Sequence, residues 1–573
     1  MRLNIVKSKN AQQFYVIKSF RAENGKSTSK IVEKLGSYDT LSRLHEDPIA
    51  WAKEYVAELN RQEKEKKNSI SVKFFPAKQI ESEHRTLYEG GYLFLQKIYH
   101  ELRLDYICRK IKAKYKFEYN LDEILSRLIY GRILEPSSKL STYEYSSHLL
   151  EKPDFSLQDV YRALDVIAEE SSFIQSELYQ FSKNMGKRND KILYYDCTNY
   201  YFELENERGM CRYGVSKENR PNPIVQMGLF MDGDGIPLAF CLHDGNTNEQ
   251  TTLRPLEEQI INDFGHSQFI VCTDAGLSSL ANRKFNDKGG RAFITAQSMK
   301  KLKDFQKIWA LSPEGWHLSG EKASFNLNDI LDDEAGDQRY YDRVFYKEQW
   351  YHENGIRQRL IITFSMKYRD YMRNIRNGQI ERAKKAIASG GKERLRQTDY
   401  KRFISKIPVT SGGEIADKKI CSLDEEKILE EERYDGFYAV VTDLEDAAEG
   451  IVAVNKGRWE IEECFRIMKS EFQARPVYLQ KDNRILAHFT TCFMALTVFR
   501  YMEKRLKNKY TCGQIIHGLN EIKFFKLSEE GYLPAYTRND FTDDLHEAFG
   551  FRTDYQILPN ASMRKIFSLT KQK

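Results

Sequence analysis

The sequence predicts a multidomain α/β protein in which a mixed sheet forms the core, preceded by a small β-containing region and a helical domain. Three observations lead there. The chain has 573 residues, too many for one ordinary domain and enough for two to four. From about Gly91 to Lys187 the apolar residues recur at helical threes and fours, and after Asp190 compact apolar runs take over. Those runs come first as a hairpin-like pair and then in alternation with helical patterns, the order expected of a mixed sheet.

The first 36 residues read as two or three short strands with turns at Lys9-Asn10 and Asn24-Gly25. A helix is expected from about Leu41 to Leu59, and the charge run Arg61 to Lys67 has the composition of a linker. From Gly91 to Lys187 the spacing of Leu93, Leu95, Ile98 and Leu102, and of Leu121, Ile124, Leu125, Leu128 and Ile129, predicts helices broken at Pro136 and Pro153. Lys191 to Asp196 is a compact strand that ends in an acid. Ile224–Met231 and Ile236–Cys241 flank the turn Asp232-Gly-Asp-Gly235 as a hairpin, and a helix from Thr251 to Phe264 follows. Gln268 to Asp274 is a second strand ending in an acid, then come a helix from about Ser278 and a strand from Arg291 to Thr295. Between Lys300 and Tyr434 the rhythm breaks, with strand-like pieces at Tyr340–Tyr346 and Leu360–Phe364 ahead of a basic helical stretch. Strand character returns at Tyr434–Thr442, and the chain reads as helical from Val452 to about Asn508. The expected divisions are 1–67, 68–188, 189–299, an inserted subdomain 300–434, 435–508 with the second part of the sheet domain, and a C-terminal region 509–573.

Composition narrows the function classes. No apolar run approaches the roughly 18 residues of a membrane helix and no charged-then-apolar leader opens the chain, so a soluble cytoplasmic protein with no membrane partner is expected. Nine cysteines, scattered and without a CxxC pair, argue against a zinc ribbon or a disulfide scaffold. The net charge is only +6, but it is uneven: residues 366–402 hold twelve Lys/Arg against four acids, an excess of +8 that leaves −2 for the rest. Such an excess is a candidate polyanion surface, as well as the ordinary dress of a solvated helix.

The chemistry-bearing residues are acids. Asp196 and Asp274 end two strands of one α/β unit, the place where open sheets of this kind collect active groups. Alone, a strand-end Asp is a common turn former or helix cap. A third carboxylate changes that, because divalent ions need several hard oxygen ligands. The stretch Asn455 to Lys469 supplies one: at ~100° per residue Arg458, Glu462 and Lys469 fall on one helical face, with Glu463 turned about 100° away. Ile461, Phe465, Met468 and Phe472 form the adjoining stripe that docks the helix. Other motifs fail on inspection. Asp232 to Gly235 lacks the ligand and glycine positions of a calcium loop, Gly390-Gly-Lys392 lacks the Ser/Thr of a phosphate loop, and neither HExxH nor a strand-end GxSxG occurs. His488 reads as structural.

The same stretch resembles the Y-x2-R-x3-E-x6-K signature of DDE transposases encoded by bacterial insertion sequences, with Arg458, Glu462 and Lys469 at the R, E and K positions and Asn455 where the Tyr belongs. Tyr194 to Glu203, Tyr213 to Arg220, Gly235 to Leu238, Gly245 to Thr247, Val271 to Leu277, Asp435-Gly436, Arg475 to Tyr478 and Gly131 to Lys139 are similar to further blocks of that family, in the family's order. The resemblance implies a ribonuclease-H-like catalytic core interrupted by a β-rich insertion, and the 188 residues between Asp274 and Glu462 leave room for one. It implies that Asp196, Asp274 and Glu462 hold two Mg²⁺ ions, with Mn²⁺ as substitute, for DNA end cleavage and strand transfer by a cut-and-paste route. It implies double-stranded DNA as partner, both terminal inverted repeats and target, and a homodimer in the synaptic complex. Arg458, Lys469, Lys217, Arg220 and Asn455 are the expected DNA contacts, and Trp309, Trp316 and Trp350 candidates for stacking on a flipped base. Two rival readings are a transposase remnant that only binds DNA and a metal-dependent nuclease without strand transfer.

Overall fold

The structure, a computed structural model, describes the chain except residues 9–10, 22–26, 69, 71, 73–74, 78, 81, 83–84, 332–338, 390–398, 410–417, 528–529 and 573. The turns expected at Lys9-Asn10 and Asn24-Gly25 and the Gly390-Gly-Lys392 segment lie outside the described residues. By internal contacts the chain divides into two units, Met1–Thr86 with Lys526–Leu533, and Leu87–Phe525 with Pro534–Lys573.

In the first unit three strands, β1 (Arg2–Ser8), β2 (Ala11–Arg21) and β3 (Ser27–Ser37), form an antiparallel sheet in sequence order. Phe14, Leu41 and Ala52 make its small core. A five-residue helix, Tyr38–Ser42, precedes the main one, Pro48–Asn68. The helix therefore starts later than the sequence indicates, with Asp47 capping it through bonds from Ile49 and Ala50 N–H at 2.9 and 3.0 Å. It also runs through the Arg61–Lys67 charge cluster. That cluster is not a linker: Lys, Glu, Gln and Arg are good helix formers, and a helix already nucleated continues through them.

The second unit begins with β4 (Leu87–Glu89) and six helices between Tyr92 and Ser182. Three of these helices start at side-chain caps, from Asn120, Ser138 and Ser156, the last forming a capping box with Asp159. The helix Asp482–Arg505 lies against them. It is long and apolar enough to cross a membrane, yet 89% of its most apolar window is buried inside the protein, so it is a core helix.

The centre of the unit is one ten-stranded sheet. Its strands in chain order are β5 (Ile192–Tyr201), β6 (Ile224–Asp232), β7 (Pro237–Asp244), β8 (Ile270–Thr273), β9 (Ala292–Gln297), β10 (Trp316–Leu318), β11 (Ser324–Phe325), β12 (Phe345–Glu353), β13 (Ile356–Phe364) and, after the separate hairpin β14 (Ile404–Val409) and β15 (Lys418–Leu423), β16 (Phe437–Thr442). The spatial order is β11-β10-β12-β13-β16-β9-β8-β5-β6-β7. β5, β8 and β9 are parallel to their neighbours among themselves and every other pairing in the sheet is antiparallel. The strands contributed by the segment 300–434 thus extend the central sheet through β13 and β16. β5 alternates: Leu193, Tyr195 and Cys197 enter an apolar cluster with Leu253, Leu256 and Ile260, leaving Tyr194 and Asp196 on the opposite face.

The basic stretch begins as the helix Met366–Ala388. Much of its charge is neutralised locally. Arg376 is buried in a bidentate pair with Asp435, both contacts 2.6 Å, and Lys367, Arg373 and Lys384 reach Asp342, Asp435 and Glu381. Breaking a buried ion pair strands a charge, at a cost of roughly 3–5 kcal/mol. Asp435→Asn is therefore expected to lower stability by about that amount in denaturant unfolding, whereas Lys384→Ala, on the exposed side, should change it by less than about 0.5 kcal/mol.

Candidate catalytic site

Strand pairing brings the two aspartates together. β5 and β8 are parallel with Ile192 opposite Ile270, Leu193 opposite Val271 and Tyr194 opposite Cys272. Asp196 and Asp274 each lie two residues beyond the last of these pairs, on the same face as Tyr194 and Cys272. Neighbouring strands are about 4.8 Å apart, and the Asp274 carboxylate is near enough for its charge to act on Asp196. Burial, first, and the Asp274 charge next to it raise the Asp196 carboxyl to about 6, against the pull of Lys217 and Arg458. One Asp196 oxygen accepts the Cys197 N–H at 2.8 Å and one Asp274 oxygen the Leu277 N–H at 3.0 Å. Among the described residues no hydrogen bond reaches the other oxygen of either.

The third acid arrives on a helix pinned to that face. Two helices, Ala448–Lys456 and Trp459–Arg466, meet at Gly457. The Tyr194 hydroxyl donates to the Val454 carbonyl at 2.8 Å, and a Cβ on Gly457 would stand 2.3 Å from that hydroxyl. Only glycine permits this approach. Asn455 is buried, its amide donating to the Tyr438 hydroxyl at 3.1 Å and its carbonyl oxygen 3.8 Å from the Cys272 thiol. Residues 454 and 455 thus sit over Tyr194 and Cys272, and Arg458 and Glu462 follow one and two turns on, toward the aspartates. Ile461, Phe465, Met468 and Phe472 are all buried, and Glu460 is paired with Arg500 of the core helix.

Arg458 stands between the acids: it acts on Asp196, and its guanidinium is 3.9 Å from Glu462, whose side chain is 68% exposed. The three carboxylates are not gathered into a tight cluster. Among the described residues the only three ligand-type side chains with atoms within 4.8 Å of one another are Asp543, His546 and Asp554. There Arg552 binds both acids at 2.6 Å and Arg538 binds Asp543 at 2.9 Å, so their charge is already spent. The Asp196–Asp274–Glu462 donor set is all carboxylate, with exposed or unbonded oxygens, and suits hard divalent cations.

Lys469 sits where the helix widens into a π turn, Ile467–Glu471, an irregularity frequent at functional sites. Its ammonium is 3.2 Å from Glu218, which also pairs with Arg475. Burial, then Lys217, lower it to about 8, with Asp196 opposing. Lys217 donates to the Cys197 carbonyl and pairs with Glu249 at 3.1 Å, and Arg220 is exposed over the Tyr201 ring at 4.5 Å. Glu463, half-buried, is bonded to Arg466 at 2.6 and 2.7 Å.

The sequence blocks converge here. Gly214, Lys217, Gly245, Thr247 and Gly276 line one pocket of about 650 Å³. A Cβ at Gly214 would stand 1.9 Å from the Gly245 carbonyl oxygen and one at Gly245 2.2 Å from the Ile224 carbonyl oxygen, so neither position has room for a side chain. Of the three tryptophans, Trp316 is fully buried, Trp309 packs against the same core, and Trp350 lies under the Arg357 guanidinium at 4.2 Å. The aromatic groups near Glu462 are others: Trp459, 59% exposed, with Tyr368 and Tyr438, in a pocket of about 350 Å³ that Arg458 and Glu462 also line. The signal for Trp459 was present in sequence, a large apolar residue next to Arg458 and off the apolar stripe. Tyr368 and Tyr438 are distant in sequence and had none.

The transposase DDE domain family matches residues 213–498, about half of the chain. Over this stretch the chain is a transposase DDE domain. The matched span contains Asp274 and Glu462, while Asp196 lies upstream of it. No curated protein matches the chain. Among solved structures, a cryo-EM structure of the piggyBac transposase synaptic complex with hairpin DNA is similar at 7% identity and a TM-score of 0.35, covering 83% of this chain and 85% of that one.

Two substitutions test the docking of the DDE domain's helix and the Asp196 environment. Gly457→Ala should lower the melting temperature, because overpacking here costs on the order of 1–3 kcal/mol. Asp196→Asn, which removes a buried anion beside a second carboxylate, should melt at or above wild type in chelator-treated buffer; a fall below it would show that the Asp196 charge is itself structural.

Proposed function

We propose that this DDE transposase is an insertion-sequence enzyme that cuts DNA at transposon ends and joins the freed ends to target DNA by a cut-and-paste route. The reading is supported by the parallel β5–β8 register, which continued two residues leads to Asp196 and Asp274, and by the helix held against Tyr194, whose Arg458 acts on Asp196 and stands 3.9 Å from Glu462. The sheet, with β5 antiparallel to β6 and parallel to β8, is read as a ribonuclease-H-like core.

In this reading Asp196, Asp274 and Glu462 hold two Mg²⁺ ions, Mn²⁺ substituting, and divalent ions, which DDE transposases generally use, supply Lewis-acid stabilisation of the entering and leaving oxygens of phosphodiester displacement. The remaining roles fall to the chain itself. Arg458 offers a planar fork to a phosphate beside the cut, and Lys469 a point charge from the other side of Asp196. Lys217 and Arg220 grip the backbone from the loop before β6. Asn455 acts from the interior, fixing the Tyr438 ring at the pocket wall, and the Trp459–Tyr368–Tyr438 pocket receives an unpaired base at the terminus. The partners are double-stranded DNA, terminal inverted repeats and target, with two chains acting as a homodimer on paired ends in the cytoplasm.

A cleavage and strand-transfer assay on DNA carrying the element's ends, run with Mg²⁺, tests this. Glu462→Gln and Asp274→Asn should each reduce cleavage by at least about a thousandfold with DNA affinity near wild type, and Glu463→Gln should remain within about tenfold. Equal loss at Glu462 and Glu463 would refute the face assignment. Wild-type behaviour of Asp274→Asn would leave a DNA binder, and cleavage without joined products a nuclease.

A further inference from the structure

Away from the aspartates, the Gly131–Lys139 block ends at the mouth of a second pocket of about 410 Å³. Its walls come from the end of the helix Leu121–Leu134, the first residues of the helix Lys139–Ser146, His488 of the core helix, and the loop 473–479. Arg132, Lys139, Arg475 and His488 line it, and no Asp or Glu does.

The charge there is unusual because it is buried. Arg132 is 4% exposed and Lys139 6%. Arg132 donates only to the neutral carbonyls of Phe472 and Ser137, both at 3.0 Å, and its Nε has no partner. Among the described residues no hydrogen bond or ion pair reaches the Lys139 ammonium. Arg475 has a carboxylate, Glu218, outside the pocket. Burial, with Arg132 beside it, lowers Lys139 to about 7, and burial pushes His488 well below its ordinary range. A buried cation with no counter-charge is costly, and an anion entering the pocket would relieve that cost.

The helix start adds to this. Ser138 caps the helix Lys139–Ser146, its hydroxyl accepting the Ser141 N–H at 3.1 Å. The preceding N–H groups of such a helix have no partner within it and point, with the positive end of the helix dipole, out of its first turn. A guanidinium, an ammonium, two serines and a helix N-terminus around one cavity that no carboxylate lines form a donor-rich environment that fits a tetrahedral oxyanion.

We propose that this pocket binds a phosphate group, held by Arg132 and Lys139 against the Ser137-Ser138 helix start. The group is either a backbone phosphate of bound DNA or a free phosphate or nucleotide. DNA is within the site's reach: Arg475 of the pocket shares Glu218 with Lys469, which acts on Asp196. The pocket does not rest on the nuclease chemistry, because it can be read without metal or cleavage.

The test uses the full chain in metal-free buffer. Millimolar inorganic phosphate should raise the melting temperature relative to chloride at matched ionic strength. Lys139→Met should melt at or above wild type without phosphate, since it removes an uncompensated buried charge, and should lose the phosphate response; Lys139→Gln reads the same if Lys139→Met does not fold. If DNA supplies the group, Lys139→Met also binds terminal-repeat DNA about tenfold more weakly, and its slope of log affinity against log salt is shallower by about one. Loss of the phosphate response with DNA binding unchanged assigns the pocket to free phosphate or a nucleotide. No phosphate response in wild type, or one that survives in both variants, overturns the proposal whatever the cleavage assay shows.

Discussion

The parallel register of β5 and β8 is the constraint on which the site depends. Ile192 opposite Ile270 fixes an offset of 78 residues, and that offset carries Asp196 to Asp274. A slip by one residue would turn either aspartate to the opposite face, into the cluster around Tyr195 and Leu256. The apolar alternation of β5 forbids the slip: Leu193, Tyr195 and Cys197 have nowhere else to be buried. Two anions are thereby brought near one another in a half-buried cleft, and the raised Asp196 carboxyl is the electrostatic consequence.

Everything else at the site answers that charge. Arg458 and Lys469, from the two ends of one helical stretch, and Lys217, from the loop before β6, all act on Asp196. The helix that brings Arg458 and Glu462 is located by contacts too close for any side chain at Gly457, by the Tyr194–Val454 hydrogen bond, and by the Glu460–Arg500 pair. These are short, directional contacts, and they set the helix position more tightly than its buried apolar stripe could, since a stripe tolerates sliding.

Charge counted along the sequence and charge placed in space mean different things in this protein. The stretch 366–402 has the largest excess of Lys and Arg, yet Arg376 and several neighbours are engaged by Asp435, Glu432, Asp342 and Glu431 from other segments. Arg132 and Lys139 sit in a block with no notable excess, yet both are buried and no acid is paired with either among the described residues. Local composition reports only the neighbours in sequence, whereas compensation is decided by neighbours in space.

The acids themselves are legible in the sequence: Asp274 just past an apolar strand, Asp196 after an apolar run expected to end there although β5 continues to Tyr201, Glu462 on the polar face of an amphipathic helix, and the stripe Ile461, Phe465, Met468 and Phe472 that docks it. These follow from period-two and 3.6-residue patterns, which are local. The sequence also determined that Glu462 and Glu463 point different ways. Tertiary structure alone decided that segment 300–434 adds strands to the central sheet, that Asn455 turns inward to Tyr438 and Cys272, that Trp459 rather than Trp316 borders the acids, and that Arg132 and Lys139 share a cavity. Each of these depends on which strand edges pair and which helices pack, contacts between residues tens to hundreds of positions apart that no short window of sequence encodes.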